Sequence, residues 1–303
     1  MKRTSSTLRI ENKEVPVTNL QKVLYPAAGF TKGDLIHYYI GVAPVLLPHL
    51  QDRALTMKRY PEGVRGFFFY EKNCPAHRPT WVKTAEVFSK RRGEPMAYCL
   101  ANNLPSLVWM ANLADLELHV SLARAKKQER PTTMVFDLDP GEGTNILHCA
   151  RVGLAVRDKL RQIGLESFPK TSGSKGLQVY APLNTAGVDF DQAKAASRLI
   201  AEAVEKERPG EVVTNMRKEL RRGKVLIDWS QNDEHKTTVC VYSLRATEQP
   251  SVSTPLEWKE VETLLKRAKR EAFYFGPDAL LARVAKLGDL FEPVLTLKQK
   301  LGK

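Results

Sequence analysis

Two aspartates spaced two residues apart carry the clearest chemical signal in this sequence. Asp137 and Asp139 lie in the run TTMVFDLDPG, whose apolar residues predict a buried strand ending at Pro140 and Gly141. Residues two apart on a strand point to the same face, so the two carboxylates would lie close together. Like charges at that distance repel unless a cation lies between them, and oxygen ligands favour Mg²⁺ or Mn²⁺. The run therefore predicts a divalent metal site at a strand end.

A third carboxylate follows another apolar run, KVLIDWSQN, which places Asp228 at the end of a second predicted strand. An isolated aspartate in this position is more often a turn former than a ligand. Together with Asp137 and Asp139, however, it could bridge two ions roughly 4 Å apart, the arrangement used for in-line phosphoryl transfer. One ion would activate the attacking hydroxyl, and both would stabilise charge on the reacting phosphate.

The run KTSGSKG, residues 170–176, could bind phosphate. Its small hydroxylated residues, two glycines and lysines would let backbone N–H groups approach phosphate oxygens, although the glycine spacing is not that of a Walker A loop. A flexible surface turn is the alternative. The predicted strand on each side favours an ordered phosphate-binding loop.

Basic and aromatic residues lie close together in two further runs. MKRYP contains Lys58 and Arg59, and FFFYEK contains four consecutive aromatic residues. Strand alternation would expose about half of them, and an exposed aromatic ring beside Lys and Arg is suited to base stacking on nucleic acid. Packing of all four rings in the core is the alternative.

Three other polar residues lie beside these runs. His119 alternates with apolar residues in LELHV, where a lone histidine is more often structural. Arg221 and Arg245 flank the elements already described, and arginine is suited to binding triphosphate oxygens.

Composition limits the class of protein. The chain has 303 residues, enough for one large or two modest domains, and a formal net charge of +13, which favours a polyanionic partner. A membrane surface is a weaker candidate, because no basic amphipathic helix stands out. No run approaches the roughly 20 apolar residues of a membrane span, and the N-terminus lacks an apolar signal core, so we expect a cytoplasmic protein. The scattered cysteines predict reduced packing residues without metal-ligand spacing: Cys74, Cys99, Cys149 and Cys240.

Strands and helices interleave irregularly along the chain, which predicts a mixed α/β or α+β fold. Thr31 is the predicted N-cap of a helix over residues 32–50, which Pro44 and Pro48 should kink or break. Further helices are predicted over residues 104–114, 145–164 and 190–207, and the tail from Leu256 onward should be mostly helical. TTVCVYSLR, residues 237–245, is predicted to form one strand.

Taken together, several of these segments resemble the polymerase domain of bacterial ligase D. That domain belongs to the archaeo-eukaryotic primase superfamily and serves non-homologous end joining. The similarity runs in order from about Asn19 to about Trp258, with FDLDPG, TSGSKG and DWSQN as its most specific motifs. The matching segments are NLQKVLYP, GFTKGDLIHYY, MKRYP, FYEKN, LELH, VFDLDPG, TSGSKGL, VLIDWSQN and YSLRA.

The resemblance implies roles for individual residues. Two divalent ions, commonly Mn²⁺, would be held by Asp137, Asp139 and Asp228. The incoming nucleotide would contact His119, Ser172, Lys175, Arg221 and Arg245, with Gln231 as a weaker candidate. The 5′-phosphate across a gap in DNA would be bound by Lys22 and Lys32. Template and primer would contact Lys58, Phe69 and Tyr70, beside Arg59. The family commonly has two phenylalanines at the aromatic pair, so Tyr70 is a departure, although tyrosine also stacks.

The resemblance also implies a fold and an activity. The fold would join a small N-terminal α/β module to a primase-like core of antiparallel strands flanked by helices. We expect one domain, with a 5′-phosphate-binding segment over about 1–50, a catalytic core over about 51–255 and a helical segment over about 256–303. The expected activity is template-directed nucleotide transfer from NTP or dNTP to DNA 3′ ends at gaps and breaks, with ribonucleotides preferred.

The expected partners are DNA with 5′-phosphorylated gaps or double-strand-break ends, a DNA ligase and a Ku-like end-binding protein, in a nucleoid-associated setting. No ligase or phosphoesterase segment is recognisable, which predicts a stand-alone polymerase or an excised domain. Three alternatives remain open: a de novo primase, an aspartate-based phosphatase and a non-catalytic DNA-end-binding module. The phosphatase signature usually has Thr or Val where this chain has Gly141.

Overall fold

Two mainly antiparallel sheets carry the residues singled out from the sequence. The computed structural model describes residues 5–89 and 93–302. The strands are β1 (Ser5–Ile10), β2 (Lys13–Thr18), β3 (Val23–Tyr25), β4 (Phe30–Thr31), β5 (Leu55–Arg59), β6 (Phe69–Glu71), β7 (Thr84–Ser89), β8 (Glu94–Cys99), β9 (Asp115–Val120), β10 (Thr133–Pro140), β11 (Phe168–Thr171), β12 (Leu177–Pro182), β13 (Val212–Val213), β14 (Val225–Asp228), β15 (Thr238–Val239), β16 (Leu244–Arg245) and β17 (Ser251–Val252). The α-helices are α1 (Lys32–Leu50), α2 (Leu104–Asn112), α3 (Ile146–Gln162), α4 (Phe190–Glu207), α5 (Trp258–Lys266), α6 (Pro277–Leu287) and α7 (Pro293–Thr296). The predicted mixed α/β fold with antiparallel strands is confirmed.

One sheet has the strand order β11-β12-β10-β14-β13, with only the β13–β14 pair parallel. Its central strand β10 alternates between two environments, as strand geometry requires. Met134, Phe136 and Leu138 pack into a core with α3 and α4. The opposite face of β10 carries Asp137 and Asp139, so the helices fix the direction in which the two carboxylates point.

The second sheet has the strand order β15-β9-β5-β8-β7, with β6 paired to β5. Its strand β9 packs Leu116 and Leu118 into a separate hydrophobic core that includes residues of α1 and α2. That core also contains Ile10 and Val294, so the N-terminal hairpin and the C-terminal helices share it. The predicted segment boundaries near residues 50 and 255 stay a prediction.

Helix α1 runs without interruption from Lys32 to Leu50, so the prediction of a break at Pro44 or Pro48 is wrong, while the predicted kink stays a prediction. The predicted N-cap is correct, because the Thr31 side chain accepts from the backbone N–H of Asp34 in a capping box. One face of α1 is buried, and the hydroxyls of its two tyrosines, at 38 and 39, donate to backbone carbonyls of other elements. This packing outweighs the backbone hydrogen bonds that the prolines remove.

The run TTVCVYSLR does not form one strand. It forms β15 and β16, separated by a turn in which Tyr242 has φ +66°. The left-handed conformation is stabilised because the Tyr242 backbone N–H donates to Ser253 (2.7 Å) and its hydroxyl donates to Asp289 (2.6 Å). The turn separates Val239, which pairs with His119, from Arg245, which enters the candidate site from a different hairpin.

Two of the four cysteines differ from the sequence prediction of reduced thiols. Cys74 and Cys99 form a disulfide, so the expectation of reduced packing residues is wrong for this pair. The backbone N–H of Cys74 donates to Ala97 at 2.6 Å, which holds the segment after β6 against β8 and brings the sulfurs together. Their separation of 25 residues gave no local signal of the pairing. Cys149 and Cys240 are buried thiols, as predicted.

Among residues 5–89 and 93–302, no helix is long and apolar enough to cross a membrane.

Candidate active site

The three predicted carboxylates lie on one face of the sheet that contains β10. Strands β10 and β14 are antiparallel neighbours, and Asp137 lies directly opposite Asp228 in their register. Directly opposed residues have Cβ atoms about 4.5–5.5 Å apart and point to the same side. Asp139 lies two residues further along β10 and therefore shares that face.

Electrostatics show how closely these carboxylates interact. Burial and the charges of Asp139 and Asp228 raise the pKa of Asp137 to about 7, against a hydrogen bond from Gln178. Burial and the charge of Asp228 also raise the pKa of Asp139, while Arg221 acts in the opposite direction. Mutual repulsion of this kind is relieved by a divalent cation, so the donor set fits a metal site.

The three carboxylates do not form a preorganised metal-binding site. Among the described residues, no three His, Cys, Asp or Glu side chains form a group compact enough to hold an ion. Asp228 Oδ1 instead accepts from the backbone N–H of Ser230 (2.9 Å) and from its hydroxyl (2.5 Å). Shared ligation would therefore require a side-chain rearrangement, above all at Asp228.

The first two residues of KTSGSKG belong to β11, and residues 172–176 form the loop to β12, which is ordered by its own hydrogen bonds. Ser172 Oγ accepts from the backbone N–H groups of Ser174 (3.2 Å) and Gly176 (3.0 Å), and the Ser172 N–H donates to Gly176 O at 2.9 Å. Gly173 has φ +70°, and an added Cβ would lie 2.6 Å from the backbone nitrogen of Ser253. Because three N–H groups are used within the loop, its exposed Lys175 is the stronger candidate for phosphate binding.

A cavity of about 230 Å³ lies between the two sheets and is lined by seven of the nine residues predicted to bind metal or nucleotide. Arg245 reaches it from β16, where its Nη1 donates to the backbone carbonyl of Ser172 at 2.6 Å. Arg221 and Asp228 do not line the cavity, but both act on the pKa of Asp139. The predicted residues among the cavity lining are His119, Asp137, Asp139, Ser172, Lys175, Gln231 and Arg245.

The sequence predictions missed two residues that lie in line with the carboxylates. Lys170 on β11 is opposite Gln178 on β12, which is in turn opposite Asp137. Gln178 lines the cavity, and Lys170 is fully buried, with its Nζ donating to Ser253 Oγ at 2.6 Å. The protonated form of Lys170 lowers the pKa of Asp137, although burial lowers the pKa of Lys170 itself to about 7. Both residues are polar positions in predicted strands that flank the phosphate loop. Their alternation with apolar neighbours was the sequence signal that could have found them.

A third missed residue, Glu117, lies on β9 two positions before His119. Its Oε2 is 2.9 Å from His119 Nε2, and its side chain is almost completely buried. Burial lowers the pKa of His119, although the contact with Glu117 opposes this shift. An acidic residue inside the apolar run LELHV was the overlooked signal.

The aromatic run lies beside the cavity, in β6 and the two residues before it. Phe67, Phe68 and Tyr70 are 71%, 45% and 55% exposed, so the alternative that all four rings pack in the core is wrong. Lys58, opposite Tyr70 on β5, has its Nζ 4.9 Å from the Phe68 ring centroid and 5.5 Å from that of Tyr70. Phe69 is half-buried. The exposed rings beside Lys58 keep the geometry that base stacking needs.

Arg59 and Phe69 form the neighbouring cross-strand pair. The guanidinium of Arg59 lies 5.1 Å from the Phe69 ring centroid, and its Nη1 donates to Glu71 at 2.6 Å. These contacts hold Phe69 in place, and Arg59 is itself largely buried by them.

A wider groove of about 1060 Å³ adjoins the cavity, and Thr237 lines both. It runs past Tyr70, and its lining carries both basic and acidic side chains: Lys72, Arg124, Lys236, Glu71 and Glu234. The groove therefore leads from the exposed aromatic rings to the cavity.

Lys22 and Lys32 lie outside the cavity lining, in the N-terminal segment. The backbone N–H of Lys32 donates to Lys22 O at 2.8 Å, so the two lysines are neighbours. Lys22 Nζ is 3.1 Å from both carboxylate oxygens of Glu62. Lys32 is buried, and its Nζ donates to the carbonyl of Asn112 at 2.9 Å. Of the two, Lys22 is the better placed to meet a phosphate from solvent.

Gly141 allows the backbone at the end of β10 to pack closely against the backbone of the segment from Arg221 to Lys224. A Cβ at this position would lie 1.8 Å from the backbone oxygen of Arg221 and 2.7 Å from that of Lys224. We expect Gly141→Ala to displace the segment that carries Arg221, to destabilise the fold by about 1–3 kcal/mol and to lower the melting temperature. Thermal denaturation measures this, with Gly210→Ala as the control, because no atom lies within 4 Å of a Cβ there. Equal melting temperatures for the two variants would contradict the close packing.

Family comparison agrees with this architecture. A model of the LigD primase-polymerase domain matches residues 31–291. The chain therefore belongs to the LigD primase-polymerase domain family, which confirms the predicted enzyme class of DNA-directed nucleotidyltransferase and contradicts the phosphatase alternative.

Individual relatives give the same result. The chain is 42% identical over 288 residues to the multifunctional non-homologous end joining protein LigD of Mycobacterium bovis, covering 92% of this chain and 37% of that protein. It is 33% identical over 271 residues to the bifunctional LigD of Bacillus subtilis, covering 89% of this chain and 42% of that protein. The chain thus spans well under half the length of these relatives.

A solved structure has the same fold. The polymerase domain of Mycobacterium tuberculosis ligase D, in complex with DNA, superposes with a TM-score of 0.85 at 40% identity. The match covers 93% of this chain and 98% of that chain.

Proposed function

We propose that this chain extends a DNA 3′-hydroxyl in a template-directed reaction at gaps and broken ends, as part of non-homologous end joining. The observation that carries the proposal is the placement of Asp137 opposite Asp228, with Asp139 on the same face. These carboxylates adjoin a cavity lined by His119 and Arg245. The DNA bound to the mycobacterial polymerase domain supports DNA as the template, and the names of the relatives support the repair role.

Asp137, Asp139 and Asp228 would hold two divalent ions, Mn²⁺ or Mg²⁺. When bound, such ions activate the attacking hydroxyl and stabilise charge on the transferred phosphate. The raised pKa values of Asp137 and Asp139 fit this role, because burial and repulsion leave both carboxylates in need of a counter-charge.

The other cavity residues would bind the nucleotide. Arg245 and Lys175 supply positive charge for the triphosphate, at the rim of the loop that carries Ser172. His119 is held by Glu117 and lines the same cavity, where Gln231 closes the side next to Asp228. Arg221 would neutralise charge close to Asp139.

The aromatic surface would receive the template and primer. Tyr70 would offer its exposed ring beside Lys58, at the edge of the wide groove. Phe69, which contacts Arg59 and stacks on Phe67, would support this surface. Ribonucleotide preference, a ligase partner and a Ku-like end-binding protein form part of the same proposal, since they follow from the family.

Primer extension across a 5′-phosphorylated gap tests the proposed function. The assay compares ribonucleotides with deoxyribonucleotides, and Mn²⁺ with Mg²⁺, on one templated gap. We expect incorporation only of the nucleotide complementary to the template, and none after chelation of divalent ions. A primer-free arm distinguishes gap filling from de novo priming. Tight binding of DNA without incorporation would instead favour a non-catalytic end-binding module.

Lys22 provides a separate prediction for recognition of the 5′-phosphate. Lys22→Ala should remove the preference for 5′-phosphorylated over unphosphorylated gaps and lower the salt slope of binding by about one unit. Glu62→Gln should strengthen that preference, because it removes the carboxylate that pairs with Lys22. Fluorescence anisotropy over a salt series measures both effects.

The matched control is Lys13→Ala, which removes an exposed lysine on β2. An unchanged ratio of affinities for the two gaps in Lys22→Ala would contradict this role.

A further inference from the structure

Glu117 occupies the centre of β9, with Asp115 and His119 on the same face of the strand. It lies directly opposite Lys58 on β5 and is only 2% exposed. A buried carboxylate is costly unless charged or polar groups surround it.

The surrounding groups are residues of the candidate site. Glu117 Oε2 is 2.9 Å from His119 Nε2 and 3.3 Å from Arg245 Nε. Both carboxylate oxygens are 3.3 Å from Lys58 Nζ, and Oε1 also accepts from the backbone N–H of Ala246 at 3.0 Å. One carboxylate therefore joins side chains from β5, β9 and β16.

The balance of interactions keeps Glu117 charged. Burial alone would raise its pKa, but contacts with His119, Arg245 and Lys58 outweigh burial, and the pKa of Glu117 lies well below its usual range. Burial lowers the pKa of His119, which favours its neutral form. Since the Glu117 carboxylate can only accept, His119 Nε2 must carry the proton between them. The contact therefore fixes both the orientation and the tautomer of the ring.

Arg245 extends this network to the phosphate loop. Its Nε contacts Glu117, while its Nη1 donates to Ser172 O at 2.6 Å. A continuous chain of contacts thus runs from Lys58, beneath the exposed aromatic rings, through Glu117 and Arg245 to Ser172. Without the carboxylate, the partly buried cations of Lys58 and Arg245 would both lose an ion-pair partner.

We propose that Glu117 is a positioning residue, which orients His119 and Arg245 toward the nucleotide. This inference rests on the proposed function, since it takes the cavity as the nucleotide site. Glu117 acts through its neighbours and does not itself line the cavity.

The test is the Kd of a non-hydrolysable ribonucleoside triphosphate with Mn²⁺, measured by calorimetry, alongside steady-state incorporation. Glu117→Gln keeps the shape of the side chain but removes its charge. We expect the nucleotide Kd and KM to rise about tenfold, the lower end for residues that orient ligand-contacting groups, with duplex affinity unchanged. A nucleotide Kd equal to that of the wild type would overturn the proposal.

The matched control is Asp115→Asn, a buried carboxylate on the same face of the same strand. Asp115 accepts only from the backbone N–H of Lys58 at 2.8 Å, among the hydrogen bonds of the described residues, and burial raises its pKa. We expect nucleotide binding by Asp115→Asn to match the wild type. A tenfold loss in this control as well would show that any change in β9 has the same effect, and would overturn the specific role of Glu117.

A double-mutant cycle separates positioning from a general structural effect. In a background that carries both His119→Ala and Arg245→Ala, Glu117→Gln should raise the nucleotide Kd by no more than about twofold, because both groups that it orients are gone. Equal costs in both backgrounds would overturn the proposal. If Glu117→Gln does not fold, Glu117→Asp replaces it in the same cycle. Its shortened side chain should raise the nucleotide Kd by less than tenfold. An unchanged nucleotide Kd in Glu117→Asp would count against the proposal.

The two readouts also separate this inference from the proposed function. Wild-type protein that binds the nucleotide but does not incorporate it would contradict the polymerase activity, and the comparison of Kd values would still decide the role of Glu117. Wild-type protein that does not bind the nucleotide would overturn both.

Discussion

Asp137→Asn is expected to abolish nucleotide incorporation, with a fall in kcat of at least about 10³-fold. The reason is that Asp137 lies opposite Asp228 and two residues from Asp139, so the substitution would remove a carboxylate that adjoins both other proposed metal ligands. Binding of gapped duplex should stay within about twofold of the wild type, because the proposed DNA contacts lie on other elements. Single-turnover extension and anisotropy measure the two effects, and Asp139→Ala should behave in the same way.

Stability provides the control for this variant. Burial and repulsion raise the pKa of Asp137 to about 7, so a neutral asparagine should not destabilise the metal-free protein. Asp191→Asn, an exposed carboxylate in the first turn of α4, should change neither stability nor activity. Normal extension by Asp137→Asn in Mn²⁺ would contradict the metal role of the carboxylates.

Arg245→Ala is expected to give the second largest effect, a loss of about 10²–10³-fold in kcat/KM for the nucleotide. Arg245 contributes positive charge to the cavity, and its charge also acts on Asp139. The KM for nucleotide should rise while the Kd for duplex DNA stays constant. Steady-state kinetics over a nucleotide series provides this comparison.

The loss of Arg245 also leaves Glu117 with one partner fewer, so part of the effect could arise from lower stability. Arg245→Lys keeps the charge but cannot contact Ser172 and Glu117 at the same time. Its kcat/KM for the nucleotide should lie between those of the wild type and the alanine variant. Arg9→Ala, which removes an exposed arginine on β1, is the matched control. Full activity in Arg245→Ala would remove this residue from the nucleotide site.

Local alternation predicted much of the site. Asp137 and Asp139 were placed correctly because apolar neighbours fix the face of a strand, and the end of the next apolar run located Asp228. Their pairing across β10 and β14 is a long-range contact, which the residues alone did not determine. The resemblance to ligase D polymerase domains supplied that step.

The errors have physical causes that lie outside local sequence. Pro44 lies within α1 because tertiary packing compensates for the lost hydrogen bond. Tyr242 breaks a predicted strand because contacts with Ser253 and Asp289 stabilise its unusual φ. The Cys74–Cys99 bond depends on two segments meeting in space. Glu117 was missed because its role depends on partners that lie on three different strands.

The most direct test of the central claim is anomalous diffraction from crystals grown with Mn²⁺, gapped DNA and a non-hydrolysable nucleoside triphosphate. We expect two Mn²⁺ peaks roughly 4 Å apart, ligated by Asp137, Asp139 and Asp228, with the Asp228 carboxylate turned away from Ser230. Manganese bound elsewhere, or a nucleotide seated in the cavity with no ion at these carboxylates, would contradict the account.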